Sequence, residues 1–232
     1  MTVIPWPRKL ARTPAPRATT AAAEASSFPT DDLADLVATL IQARQTVLPK
    51  GLGAPGPDAE QLGQILASAA HAPDHGQLLP WRFVLVPGAS RAPLAEVFAA
   101  ALRERDPAAT DRQLAQARDK AHRAPVLLLV VVDSTRGDAG IGLDERVASA
   151  GCAVQNMLLM ATAQGFGSAV TSGKALKAKA LRVLFGLAPG EQALCFVSIG
   201  TVLSRKAVRT RPSVGDYVST LHAQRGVLPG LG

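Results

Sequence analysis

His71-Ala72-Pro73-Asp74-His75-Gly76-Gln77-Leu78-Leu79-Pro80-Trp81-Arg82-Phe83-Val84-Leu85-Val86 carries the chain from the end of one regular element to the start of another. Pro73 lacks an N–H and biases Ala72 away from helical backbone, so the preceding helix closes there. Pro80-Trp81 opens the apolar run Phe83 to Val86, which Pro87-Gly88 ends. A polar loop fixed by proline at both ends, between two buried elements, is a rigid frame for functional groups.

Outward from this loop the elements alternate. Thr30-Asp31-Asp32 caps a helix through about Arg44, with Leu33, Leu36, Val37, Leu40 and Ile41 on one face. Asp58 with Gln61 makes a capping-box start to a second helix that turns Leu62, Ile65, Leu66 and Ala69 inward. A strand is predicted at 82–87, a helix from Ser90 to Arg105 and another from Thr110 to His122. Val126 to Val132 is a branched-aliphatic and leucine run, the pattern of a strand buried on both faces. A long helix from about Asp144 to Gln164, a short one from Lys174 to Phe185 and a strand from Ala193 to Val202 complete the order. There is no internal repeat. Too few strands alternate with helices for a doubly wound dinucleotide fold, so the fold class is α+β.

Composition sets limits on function. Of 232 residues 47% are hydrophobic, enough for one sizeable core. No apolar run approaches the ~20 residues that span a bilayer. Two cysteines, Cys152 and Cys195, are too few for a disulfide framework and read as buried reduced thiols. The net charge of +7 sits at the ends: +3 over residues 1–30 and +4 over 201–232, with 16 basic and 16 acidic residues between. A nucleic-acid-binding domain carries its basic stripe on the folded body, beside aromatics that stack bases. Here the body is neutral and aromatics are 4% of the chain, which argues against a nucleic-acid partner. Residues 1–30, rich in Pro, Ala, Thr and Arg without a regular period, read as a disordered tail. The folded domain is expected over 31–222, followed by a C-terminal tail over 223–232.

Other chemistries find little support. His71 and His75 have a metal-ligand spacing, but Pro73 breaks the helix between them and His122 and His222 stand alone. Cys152 has no histidine nearby to make it a nucleophile. Gly165-Phe166-Gly167 follows a helix, whereas a dinucleotide fingerprint opens one. Ser172 lacks the Gly-x-Ser-x-Gly elbow of a hydrolase.

The ordered set Ala43-Arg44-Gln45, Ala72-Pro73-Asp74-His75 to Pro80-Trp81-Arg82-Phe83, Ala150-Gly151-Cys152-Ala153-Val154, Ala163-Gln164-Gly165-Phe166-Gly167, Thr171-Ser172-Gly173 and Ile199-Gly200-Thr201 resembles the FMN-dependent nitroreductases. The resemblance is to their short YdjA-like NAD(P)H branch and covers about residues 33–220. It implies a central, mainly antiparallel sheet flanked by helices, in an intertwined homodimer with two FMN sites at the subunit interface. It implies an oxidoreductase that takes hydride from NAD(P)H and reduces a small electron-poor acceptor, a nitroaromatic or a quinone, by a ping-pong scheme. The cofactor carries the chemistry, so no catalytic side chain is assigned.

By the same resemblance Arg44, Gln45, His71, His75, Thr171, Ser172 and Gly173 contact FMN, and Ala161 to Phe166 lie on the nicotinamide side. Lys50 is the candidate cation for the flavin's N1–C2=O edge, where reduction builds negative charge. The family commonly has two consecutive basic residues and a small hydroxyl residue where this chain has Ala43-Arg44-Gln45. It also has an arginine where this chain has Thr171. Arg209 and Arg211 are the candidate replacements in the phosphate clamp. Trp81 reads as a core anchor behind the loop. A cytoplasmic location is expected. Two other readings would use the same residues differently: a flavin-free module binding through its basic tails, and a metal-dependent enzyme using His71, Asp74 and His75.

Overall fold

Val126–Asp133 forms the strand that its composition predicts, with seven of eight residues buried, so both of its faces are covered. The computed structural model describes residues 30–205, 207 and 209–231. The tail expected over 1–30 lies outside the described residues apart from Thr30. Numbered in chain order, the described helices are α1 Thr30–Ala43, α2 Ala59–Ser68, α3 Arg91–Arg105, α4 Asp111–Asp119, α5 Leu143–Ala163 and α6 Lys179–Leu184. The strands are β1 Leu52–Gly53, β2 Trp81–Leu85, β3 Val126–Asp133, β4 Gly167–Thr171, β5 Glu191–Val202, β6 Ser219–His222 and β7 Gly226–Pro229.

β5 is the spine of an antiparallel sheet. β3 pairs along one edge of it, with β2 outside β3, while β4 pairs along the other edge. β1 meets the last two residues of β5. Alternation sends successive side chains to opposite faces. Leu128, Val130, Val132, Val197 and Ile199 pack on α5 and α2 through Ala150, Ala153, Met157, Ala161 and Ile65. Leu127, Leu129, Val131 and Phe196 pack on Leu94 and Ala95 of α3, on Ala121 and on Leu181 of α6. The sheet is thus covered by a helix layer on each face, and a mainly antiparallel sheet flanked by helices is what the sequence leads one to expect.

Buried arginines tie the connections to this frame. Arg146, 1% exposed, donates to the carbonyls of Asp133, Arg136, Asp138 and Ile141, fastening the loop after β3 to the start of α5. Arg91, 5% exposed, does the same for the Ala121–Pro125 turn ahead of β3. Burial lowers its pKa below the usual guanidinium value. The Asp58–Gln61 capping box forms as expected, and Thr110–Gln113 makes a second.

Four features depart from the sequence reading. Residues 174–185 are not one helix: Lys174–Lys177 is a 3-10 turn, Ala178 is extended and only Lys179–Leu184 is α-helical. β4 adds a strand, because Gly-Ser-Ala-Val-Thr lacks strand periodicity yet meets the free edge of β5. Residues 223–232, expected as a tail, include β7, which closes a hairpin with β6. Cys152 is exposed rather than buried, while Cys195 is buried as expected.

Candidate functional site

Strand register builds the floor of a cavity of about 570 Å³ on the α3 face of the sheet. Phe196 lies opposite Thr171 and Ser198 lies opposite Leu127, so these four side chains point to one side. Phe98, Leu102 and Arg105 of α3, at helical spacing, form one wall with Lys120 beyond α4. Leu48 to Lys50 and the Thr171 to Leu176 turn form the other. Five cations line this space, Lys50, Arg105, Lys120, Arg123 and Lys174, and no acidic residue does. None of the five is ion-paired to a described residue. Ser198 is 1% exposed, and its hydroxyl makes no hydrogen bond to a described residue.

The structure gathers only some of the residues expected at a cofactor site. Lys50, Thr171, Ser172 and Gly173 all line the cavity. Gly173 presents bare, extended backbone, with no protein atom within 4 Å of where a β-carbon would stand. Arg44 and Gln45 are half-buried just after α1. Next to them Thr46 bridges Ser168 in parallel, and the Val47 N–H donates to the Ser168 carbonyl at 2.9 Å. This segment therefore runs along the outer edge of β4. Arg209 and Arg211 are exposed on the segment between β5 and the Val214–Asp216 turn.

His71 and His75 lie elsewhere. His71 ends a 3-10 turn after α2 and is exposed. His75 lines a separate small recess with Asp74, Pro80 and Ser149, and its Nδ1 is 2.8 Å from Glu145 Oε2 on α5. The loop between them and Trp81 is held in a strained form. Gly76, Gln77 and Leu79 all have left-handed backbone, and the Leu79 N–H donates to the Asp74 carboxylate at 2.7 Å. Trp81 anchors the loop as expected: it is buried and donates from its indole to Ser149 Oγ at 3.0 Å. Of the nicotinamide-side segment, Ala161 is fully buried in the core.

Other chemistries find no geometry here. Among the described residues no group of three or more His, Cys, Asp or Glu could hold a metal ion. No described helix is long and apolar enough to cross a membrane. Burial pushes the Cys195 thiol up to about 11, far from a thiolate nucleophile.

Sequence reasoning missed Arg105, Lys120, Arg123, Lys174 and Ser198. Two signals were available: the Phe98–Leu102–Arg105 stripe, and the single hydroxyl interrupting Phe196-Val197-Ser198-Ile199.

Known proteins resemble this arrangement. The sequence profile of the nitroreductase family matches residues 41–201. A Haemophilus influenzae protein named "Putative NAD(P)H nitroreductase" is 37% identical over 184 residues, which is 79% of this chain and 98% of that one. A nitroreductase-like family protein from Bacillus cereus superposes with a TM-score of 0.67 at 20% identity, covering 81% of this chain and 96% of the other. A Bacteroides fragilis nitroreductase solved with bound FMN gives 0.60 at 20% identity, covering 80% of this chain and 98% of the other.

Proposed function

The chain belongs to the nitroreductase family and so to the oxidoreductases, and on that premise we propose that it binds FMN and uses NAD(P)H to reduce nitroaromatics or quinones. The observation that carries this reading is the cavity that unites Lys50, Thr171, Ser172 and Gly173 over an apolar sheet floor. Its residues suit FMN's parts: Leu127 and Phe196 offer a flat apolar bed, Thr171, Ser172 and Ser198 offer hydroxyls, Lys50 offers a cation, and no acidic residue lines the cavity. When bound, FMN would supply hydride transfer between NADH or NADPH and the acceptor, in a ping-pong scheme.

The protein's part is binding and orientation. Lys50 places positive charge beside the ring edge that gains electron density. Thr171 and Ser172 hold ribityl hydroxyls, while the bare backbone at Gly173 lets the ligand approach closely. Arg44 and Gln45, beside the outer edge of β4, and the exposed Arg209 and Arg211 would hold the phosphate. The apolar walls exclude water from the ring.

One chain leaves this site incomplete, because the His71–His75 loop lines a different recess. We assign that loop to the cavity of a second copy in a homodimer, where its imidazoles add donors to FMN. The uncovered apolar face of α1 supports the assembly: Leu33, Leu36, Val37 and Ile41 are 46–62% exposed. Both described cysteines are free, in keeping with a reducing cytoplasm.

Anaerobic mixing of FMN-loaded protein with NADH or NADPH is expected to bleach the flavin, and a nitroaromatic or quinone to restore it. Failure of both donors to bleach it would refute the reaction.

A further inference from the structure

The cavity carries more positive charge than FMN needs. The phosphate of FMN brings about two negative charges at neutral pH. In the reading above, Arg44, Lys50, Arg209 and Arg211 already face the cofactor, and Lys174 stands on the same wall as Lys50. Arg105, Lys120 and Arg123 remain on the opposite wall, built from α3 and the turn after α4. They have no ion-pair partner among the described residues, whereas Arg118 on the neighbouring turn of α4 is paired with Glu96 at 2.8 Å. Cations gathered around a cleft with low-dielectric walls repel one another, and a bound anion relieves that repulsion.

The apolar part of the same wall has a defined chemistry. Phe98 meets Phe196 edge-on, with ring centroids 5.7 Å apart and planes at 86°. Aromatic groups in this arrangement offer edges and faces to a further ring. Phe98, Leu102 and Arg105 stand on one stripe of α3, and Arg105 follows Leu102 by only about 4.5 Å of helix rise, so charge sits beside the ring contacts. That stripe matches a ligand with an aromatic ring at one end and an anionic group at the other.

We infer that this wall selects the acceptor, and that the enzyme prefers aromatic acceptors carrying an anionic substituent such as a carboxylate. The ring packs on Phe98 and Leu102, and the carboxylate accepts from Arg105 and Lys120. The inference rests on the FMN reading, since it names the second substrate of that same site.

Equilibrium dialysis of the FMN-loaded protein without NAD(P)H, using para-nitrobenzoate and its neutral isostere para-nitrobenzamide, tests it. The carboxylate is expected to bind about tenfold more tightly, the worth of one charge-assisted contact pair. Arg105→Gln with Lys120→Gln is expected to abolish the preference while the ratio of flavin to protein stays at the wild-type value. Lys120→Gln alone, at an exposed position, carries the test if the double variant does not fold. Equal binding of amide and carboxylate by the wild type overturns the inference, as does a preference that survives the substitutions. Loss of FMN, or of NADP⁺ binding in parallel dialysis with the acceptor preference intact, gives the wall to a cofactor and also overturns it. Colourless protein that takes up no FMN yet still prefers the carboxylate through Arg105 and Lys120 keeps the anion site and refutes the flavin reading.

Discussion

Glu191 shows how one residue's surroundings decide its behaviour. Burial alone would raise its pKa, but Arg82 grips it through two bonds of 2.6 and 2.9 Å and the Ala188 N–H adds a third. The net effect is a pKa below the ordinary carboxylate value. A lowered acid contributes stability that is fully present above the unfolded-state value of about 4.3 and is lost as pH falls through the folded one. Urea midpoints of the wild type should therefore fall on acidification below about pH 4. Glu191→Gln should flatten that limb, and an unchanged acid limb would count against the pair. Arg146 is a second such residue, since four carbonyls depend on its guanidinium. Arg146→Met should cost about 3 kcal/mol in denaturant unfolding by orphaning them; a cost below about 1 kcal/mol would show that water replaces the guanidinium.

At the scale of elements, legibility followed local pattern. β3 was readable because an unbroken branched-aliphatic run has few other uses, and α2 because Asp58 and Gln61 announce its start. β4 was not, since its five residues are held by the partner strand rather than by their own propensity. Cys152 misled for a related reason. The small residues around it in α5 suggested burial, yet Ala148, Cys152 and Gln155 share the stripe turned away from the sheet. The cavity was the least legible feature. Lys50, Phe98, Lys120, Ser172 and Ser198 are far apart in sequence and meet only through strand register and helix packing. Close approach also matters at the crossing of β1, β5 and the turn before β3. A β-carbon on Gly200 would stand 3.0 Å from the Gly53 carbonyl and closer still to the Pro125 ring. Gly200→Ala should destabilise by about 1–3 kcal/mol in thermal or urea unfolding, and a neutral result would mean that Pro125 can shift.

For the whole molecule, the division of the site is the main consequence. In the proposed assembly one chain supplies the cavity and the edge segment with Arg44 and Gln45, while the histidine loop, which lines a separate recess, and the exposed apolar face of α1 are assigned to contacts with a second chain. Leu36→Asp with Ile41→Asp changes only exposed positions, so the fold should survive. Light scattering should then report the monomer mass, and the protein should retain less flavin; a dimer of unchanged flavin content would place the interface elsewhere. The even charge of residues 31–200 leaves the cavity's cations as a local feature rather than part of a basic surface. The central claim is that this cavity, completed by a second copy, holds FMN. The most direct test is the visible absorption of the purified protein as it elutes in size-exclusion chromatography after incubation with FMN. The account predicts a yellow flavin spectrum co-eluting with a dimer at close to one FMN per chain. A colourless protein that cannot be loaded would contradict it.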